Sequence, residues 1–373
     1  MIHGEQCAIV GIGETAYSLH SGRSEFSLAL EAIRKAIDDS GLQPKDIDGI
    51  LKYSVDNNPE GEIARALGIP RLRFWGEVGN FGGAGCGVVA HAVSAVATGF
   101  ARYVVVFRAL NGRSGARYGR GQVTMRGGEG PAAFTEPFGL LVPGQVLALR
   151  ARRHMHEFGT KPEHFGAIAL ACRKHATRNP RAISREPLTM EDYLTSRMIY
   201  DPLRLYDCCR EADGAVALVI TSVERARDLP NKPAHVIACA QCQPGTLEPS
   251  YTEYLSKYVA PDLFGQAGVT PADIDVAEIY DHFTPMVLCA IEDYGFCAKG
   301  EGGPFVENGG IELGGRLPVN TSGGNLSEAY MQGMNHIVEA VRQMRGTSTA
   351  QVEDAELVLV DSATGVGSLV LRR

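Results

Sequence analysis

Long apolar segments recur along the chain, and several of them are apolar at almost every position. Continuous apolar runs indicate strands that helices cover on both faces of a sheet, because half-exposed strands alternate apolar and polar residues. The four runs are CAIVGIG (7–13), YVVVFRAL (103–110), AHVIACA (234–240) and ELVLVDSA (356–363). Helices are predicted over 26–40, 85–98, 254–267 and 328–345. Those at 85–98 and 328–345 are rich in small residues, as expected of helices packed between layers, so the pattern predicts an α/β protein.

Three pairs of segments repeat in the same order along the chain. GLQPKDIDGILKY (41–53) matches GVTPADIDVAEIY (268–280), and DGAVALVITS (213–222) matches GVGSLVLRR (365–373). Between them, GNFGGA (79–84) followed by HAVSAV (91–96) matches GNLSEA (324–329) followed by HIVEAV (336–341). Repeats in one order indicate a duplicated unit. The sequence therefore predicts two homologous βαβαβ-type halves, 1–230 and 231–373.

The first half is longer because of an insertion at about 111–200. It begins with a Gly/Arg-rich loop (111–131), and helices are predicted over 144–157 and 162–178. The histidines of this region, His154, His156, His164 and His175, are expected on a solvated face. Three roles are open for the arginines of this region: binding the phosphates of a ligand, contacting an acidic surface of a partner, or lying in a solvated loop. These arginines are Arg108, Arg113, Arg117, Arg120 and Arg126.

Composition narrows the class of protein. The 373 residues carry a formal net charge of −7, and a general nucleic-acid binder would usually be basic. The start of the chain does not resemble a secretory signal, and no run of 18 apolar residues suggests a membrane span. Nine scattered cysteines predict reduced thiols and a cytoplasmic location. Cys239 and Cys242 have CxxC spacing but lack a second pair, so core packing is favoured over metal binding.

Three segments, together with the duplicated halves, resemble the thiolase-like superfamily over the whole chain. VNTSGGNLSEAYMQG (319–333) is similar to the Gly-Gly turn that leads to the catalytic histidine of thiolases. EIYDHF (278–283) is similar to the His-Asp-x-Phe segment of the sterol-carrier-type branch, and DSATGVGSLVL (361–371) to the terminal glycine-rich loop. The resemblance implies a thiolase fold: two halves in a layered αβαβα arrangement, with an insertion in the first half.

The chain differs from thiolases at the positions of the thiolase catalytic residues. Counting back from Gly99 places Gly82 at the nucleophilic cysteine, whereas Cys86 would lie a turn into the following helix. Tyr330 stands at the catalytic histidine and Tyr280 at the first residue of the His-Asp-x-Phe motif. The second catalytic cysteine is replaced by Asp361 or Ser362. Because no soft thiolate remains, acyl transfer through an enzyme thioester is not expected.

The two tyrosines suit proton transfer instead. A phenol has a pKa near 10 and is mainly a proton donor at neutral pH. Retro-aldol cleavage of a β-hydroxy acyl-CoA needs one group to take the hydroxyl proton and another to protonate the departing enolate. We expect Tyr280 and Tyr330 to share these steps, in an order the sequence leaves open.

Other residues are expected to support this site. Gly82, Gly83 and Asn325 are assigned to the substrate pocket, with Gly82 leaving room for a bulky substituent. His282 has three open roles: polarising the thioester oxygen, bonding a tyrosine, or a structural role. Asp281 is expected to hold a loop. Backbone N–H groups near Gly365 and Gly367 are candidate oxyanion donors, an alternative to glycines that only permit the turn.

Within the superfamily, the pattern is similar to the lipid-transfer-protein-type aldolases that remove steroid side chains in bacteria. That resemblance implies cleavage of a 17-hydroxy steroid C22-acyl-CoA into a 17-keto steroid and propionyl-CoA, with no cofactor besides the CoA of the substrate. It also implies a homodimer and an OB-fold companion subunit in a heterotetramer. Two alternatives stay open: a non-catalytic acyl-CoA-binding or scaffolding subunit, and an active condensing enzyme that uses Cys86.

Overall fold

A computed structural model describes residues 6–79, 84–115, 117, 133–243, 245–246, 249–363 and 366–373. The strands are β1 Cys7–Glu14, β2 Gly49–Tyr53, β3 Phe74–Val78, β4 Val104–Asn111, β5 Met198–Tyr200, β6 Leu203–Arg204, β7 Asp213–Ser222, β8 Ala234–Gln241, β9 Val276–Glu278, β10 Leu357–Ser362 and β11 Gly367–Arg372. The helices are α1 Glu25–Asp39, α2 Glu60–Leu67, α3 Ala84–Ala97, α4 Pro143–Phe158, α5 Pro162–Arg178, α6 Met190–Thr195, α7 Val223–Ala226, α8 Ser256–Ala267, α9 Thr284–Asp293, α10 Gly302–Val306, α11 Gly324–Ser327 and α12 Met334–Arg345.

The four continuous apolar runs form strands β1, β4, β8 and β10, as predicted. Nine strands pair in the order β3-β2-β4-β7-β1-β8-β11-β10-β9. β1 and β8 pair over three residues only, from Cys7 opposite Val236 to Ile9 opposite Ala234. Outward from that junction the two sides match: the repeated segments β2 and β9, and β7 and β11, hold equivalent places. The division into halves at residue 230 stays a prediction.

Helices form layers on both sides of this sheet. α1 packs on β1, β4 and β7, and α8 packs on β8 and β11. Between them, α3 and α12 contact each other and strands from both sides of the β1–β8 junction. α3 is rich in Ala, Gly and Val, so neighbouring elements approach its backbone closely: a Cβ on Gly85 would lie 2.7 Å from the hydroxyls of Ser362 and Tyr53. This is the layered α/β arrangement that the sequence predicts.

One predicted helix is wrong at its start. Helix 328–345 begins only at Met334, because Gln332 and Gly333 have left-handed backbone angles with φ of 52° and 83°. A residue in that conformation ends an α-helix. Tyr330 therefore lies in a turn between α11 and α12.

The insertion contains the two predicted helices, α4 and α5, but only one of its four histidines, His156, lies on a solvated face as predicted. His154, His164 and His175 are buried. His154 lies between Thr160 and Glu292, with its ring nitrogens 2.7 and 3.0 Å from their oxygens. Glu292 is 138 positions from His154 in the sequence, so helical periodicity could not indicate this partner.

Much of the Gly/Arg-rich loop lies outside the described residues, including Arg120 and Arg126. Arg117 is described and forms an ion pair of 2.5 Å with Glu211. In the part of the chain that the structure describes, we find no helix with the length and apolar character of a membrane span.

Candidate active site

The hydroxyls of Tyr280 and Tyr330 meet, with 2.9 Å between their oxygens. Tyr280 follows β9, and Tyr330 lies between α11 and α12, so two separate loops converge here. The rings are arranged edge to face with centroids 6.3 Å apart. Tyr280 is 2% exposed and Tyr330 is 9% exposed. The structure thus brings together the two tyrosines that the sequence assigns to catalysis.

The Tyr280 loop is held by a side-chain amide. Asn320 accepts a hydrogen bond of 2.7 Å from the Ile279 N–H and donates one of 2.9 Å to the Ile279 carbonyl. On the other side the Tyr280 ring packs against Gly333, where a Cβ would lie 2.8 Å from ring atom Cδ2. Only glycine fits this contact, and its φ of 83° also favours glycine.

The Tyr330 turn is fastened to the first half of the chain. Tyr53, on β2, donates a 2.9 Å hydrogen bond to the backbone oxygen of Gln332. Arg108, on β4, donates a 2.6 Å bond to the Gln332 side chain and a 3.0 Å bond to Asp56. The ligand, partner and solvated-loop roles considered for Arg108 are therefore wrong: its guanidinium is buried and holds the turn that carries Tyr330.

Burial, followed by the neighbouring Tyr330, raises the pKa of Tyr280 well above that of a free phenol. The low-dielectric surroundings disfavour a phenolate. Tyr280 is therefore protonated at neutral pH. Two hydrogen-bonded hydroxyl groups can pass a proton along, because each oxygen can both donate and accept.

Beside these loops, Asn325 is buried and His282 is half-buried, and polar atoms of both are enclosed. Both amide atoms of Asn325 and the Nδ1 of His282 lack a hydrogen-bond partner among the described residues. The His282 ring packs edge-on against Tyr280 with centroids 4.9 Å apart. Burial lowers the pKa of His282 to about 4, so its ring is neutral. Unsatisfied buried groups cost about 1–3 kcal/mol each and are a signal for a missing ligand.

Asp281 holds a loop, in keeping with the role that the sequence favoured. Its carboxylate accepts hydrogen bonds from the N–H groups of Asn325 (2.7 Å) and Leu326 (3.1 Å) in α11. It also lies 3.0 Å from Nε2 of His336. Sequence reasoning missed His336, whose only signal was its place in the repeat HIVEAV opposite the exposed His91.

The positions of the thiolase cysteines carry no reactive thiol in the part of the chain that is described. Gly82, Gly83 and Gly365 lie outside the described residues. Cys86 is buried in α3, where its Sγ lies 3.5 Å from the Val360 carbonyl and burial raises its pKa. These properties oppose a nucleophilic role.

The two residues that could replace the second catalytic cysteine of thiolases lie in the sheet. Asp361 and Ser362 end β10; Asp361 accepts a 2.7 Å hydrogen bond from Tyr294, and Ser362 accepts one of 2.9 Å from the Cys86 N–H. Gly367 opens β11 opposite Ser362, and its oxyanion role stays a prediction.

Metal ligands are not clustered in the described residues: none of the groupings of His, Cys, Asp and Glu there could hold an ion. Cys239 lies within β8, Cys242 just beyond it, and both are free thiols.

Comparisons with known proteins agree with this architecture. Residues 248–370 match the family model "Thiolase C-terminal domain-like". A steroid side-chain-cleaving aldolase of Thermomonospora curvata is 49% identical, over 96% of this chain and 95% of its own length. The 17-hydroxy-3-oxo-4-pregnene-20-carboxyl-CoA lyase of Mycobacterium tuberculosis is 48% identical, over 97% of each chain. A solved Ltp2–ChsH2(DUF35) aldolase superposes with a TM-score of 0.94 at 46% identity, covering 100% of this chain and 99% of that one.

Proposed function

The chain belongs to the steroid side-chain-cleaving aldolases of the thiolase-like superfamily, and on this premise we propose that it cleaves a 17-hydroxy steroid C22-acyl-CoA by a proton relay through Tyr280 and Tyr330. The observation that carries the proposal is the 2.9 Å hydrogen bond between the two phenols. The relative from M. tuberculosis, by its name, acts on such a steroid acyl-CoA.

The reaction balances without an added oxidant or reductant. The hydroxyl of the β-carbon loses its proton, and its oxygen becomes the carbonyl of a 17-keto steroid. The bond between the β-carbon and the α-carbon breaks, and its electron pair forms the thioester enolate. A proton then adds to the α-carbon, which gives propionyl-CoA. One proton thus moves from oxygen to carbon, and CoA takes part only as a portion of the substrate.

The phenol pair provides a path for that proton. One tyrosine accepts the hydroxyl proton as it passes its own to the second, which delivers a proton to the α-carbon. Neither phenol has to exist as a free phenolate, which agrees with the raised pKa of Tyr280. The two tyrosines would act at opposite ends of the breaking bond. Their fixed orientation would accelerate the reaction, and acid–base catalysis would add about 10²–10⁴-fold.

Asn325 and His282 are the donors that we assign to the thioester oxygen. Negative charge collects on that oxygen as the enolate forms, and a fixed donor there contributes about 10²–10³-fold in rate. The amide of Asn325 and the Nδ1 of the neutral His282 are buried and without partners in the described structure. A substrate oxygen would accept a hydrogen bond from the amide N–H of Asn325 and one from Nδ1 of His282 in the tautomer that carries its proton there.

The substituent on the β-carbon is bulky in a steroid. Gly82 and Gly83 remain our candidates for the part of the pocket that leaves room for it, although both lie outside the described residues.

We further propose a homodimer that assembles with an OB-fold companion subunit. The name of the solved aldolase, which pairs Ltp2 with ChsH2(DUF35), supports a companion of that kind.

The test is turnover by the purified complex, obtained by co-expression with neighbouring open reading frames. We expect 17-hydroxy-3-oxo-4-pregnene-20-carboxyl-CoA to yield a 17-keto steroid and propionyl-CoA, with one deuterium on the α-carbon when the reaction is run in D₂O. A matched acyl-CoA without the 17-hydroxyl should remain intact. Binding of both compounds without turnover, even with the companion present, would instead identify a scaffolding subunit.

A further inference from the structure

His336 is buried completely and lies between two carboxylates. Its Nε2 is 3.0 Å from Oδ1 of Asp281, and its Nδ1 is 3.4 Å from Oε2 of Glu278. All three side chains are inaccessible to solvent. Glu278 ends β9 and Asp281 follows Tyr280, so the imidazole contacts the tyrosine-bearing loop on both sides of Tyr280.

Asp281 also contacts the loop that contains Tyr330. Besides His336, it binds the N–H groups of Asn325 and Leu326, in the helical turn that leads to Tyr330. The contact is close, because a Cβ on Gly324 would lie 2.2 Å from Oδ2 of Asp281. A single carboxylate therefore joins the loop of Tyr280 to the loop of Tyr330.

The negative charge of the buried Asp281 carboxylate explains the position of His336 beside it. Two buried carboxylates without a counterion would be costly. Burial opposes a charged imidazole, but the hydrogen bonds and charges of Asp281 and Glu278 outweigh it and raise the pKa of His336 to about 10. The ring is thus an imidazolium that donates to both partners.

We propose that His336 is a positioning residue for the relay: its ring holds Asp281 against α11 and Glu278 at the end of β9, and so sets the distance between the two phenols. This inference rests on the proposed function. Catalytic groups need placement to within about 0.5 Å, and a displacement of about 1 Å can cost 10²-fold in rate. Loss of the clamp would therefore act on the chemical step.

The experiment compares His336→Gln with His154→Gln in the complex with its companion. His154 is the matched control, because it is also a buried histidine 3.0 Å from a carboxylate, on α4, and contacts neither tyrosine-bearing loop. The readouts are kcat, KM and the solvent deuterium isotope effect on kcat, together with thermal unfolding. A purely structural defect lowers the active fraction, which scales kcat but leaves KM and the isotope effect unchanged.

For His336→Gln we expect kcat to fall about 10- to 100-fold with KM unchanged and a larger isotope effect, since proton transfer becomes slower. His154→Gln should lose stability but keep the isotope effect of the wild type. An unchanged isotope effect in a folded His336→Gln protein would overturn the proposal. Should that variant not fold, Asp281→Asn interrupts the same clamp and must give the same signature. Wild-type turnover by Tyr330→Phe would instead refute the relay itself, independently of His336.

Discussion

Replacing Tyr330 by phenylalanine removes one oxygen atom and keeps the ring that packs against Tyr280. Two consequences follow from the 2.9 Å bond between the phenols. The relay loses one of its two proton carriers, so kcat should fall by about 10²–10⁴. That loss corresponds to about 3–5 kcal/mol of transition-state stabilisation at 1.36 kcal/mol for each tenfold change.

The same substitution has a separate cost in stability. The hydroxyl of Tyr280, which is 2% exposed, loses the partner it has in the folded protein. An unsatisfied buried hydroxyl costs about 1–3 kcal/mol. We expect the variant to remain folded, because the free energy of unfolding of a globular protein is typically about 5–15 kcal/mol, so the fall in kcat can be measured on native protein.

The assay follows propionyl-CoA and the 17-keto steroid by mass spectrometry, with urea unfolding measured on the same preparations. Tyr193→Phe is the matched control, because Tyr193 is fully buried and its hydroxyl lies 2.8 Å from Oδ1 of Asp207. This control should lose similar stability and keep its kcat. The relay is refuted if Tyr330→Phe retains the kcat of the wild type.

Three other predictions concern buried groups. Asn325→Leu removes two unsatisfied amide atoms, so we expect urea unfolding to show a gain of about 1–3 kcal/mol, while kcat/KM falls by about 10²–10³; unchanged turnover would exclude the oxyanion role. Cys86→Ala should leave kcat unchanged, since that thiol is buried against a backbone carbonyl, and a lost activity would revive the condensing-enzyme hypothesis. His336 has its pKa raised from 6.5 to about 10, so its stabilising contribution is complete below pH 6.5 and disappears as pH rises through 10. Urea midpoints of the wild type should fall across that window more steeply than those of His336→Gln, and equal slopes would contradict the ion pair.

The sequence predicts the layers well, because buried strands and small-residue helices leave a local pattern. β1, β4, β8 and β10 follow from apolar runs, and α3 follows from its Ala and Gly content. The tyrosine pair was predicted from the resemblance, since two replaced motif positions had to face one site.

The contacts that hold the site could not be predicted from local pattern. Arg108 bonds Gln332 across 224 positions of sequence, and His336 bonds Asp281 across 55. Nothing in the residues around an arginine or a histidine indicates such partners. The error over helix 328–345 is only partly of this kind: Gly333 is a residue type that ordinarily ends a helix, whereas the sequence does not mark the left-handed conformation of Gln332.

The hydrogen bonds of Tyr53 and Arg108 to Gln332 join the two ends of the polypeptide at the proposed site. Tyr280 and Tyr330 both belong to the later portion of the chain, yet the turn bearing Tyr330 is bonded to strands of the earlier portion. If the two phenols act as we propose, we expect a fragment that contains both of them to be inert by itself. A shortened version of this protein would therefore have to retain the strands that carry Tyr53 and Arg108.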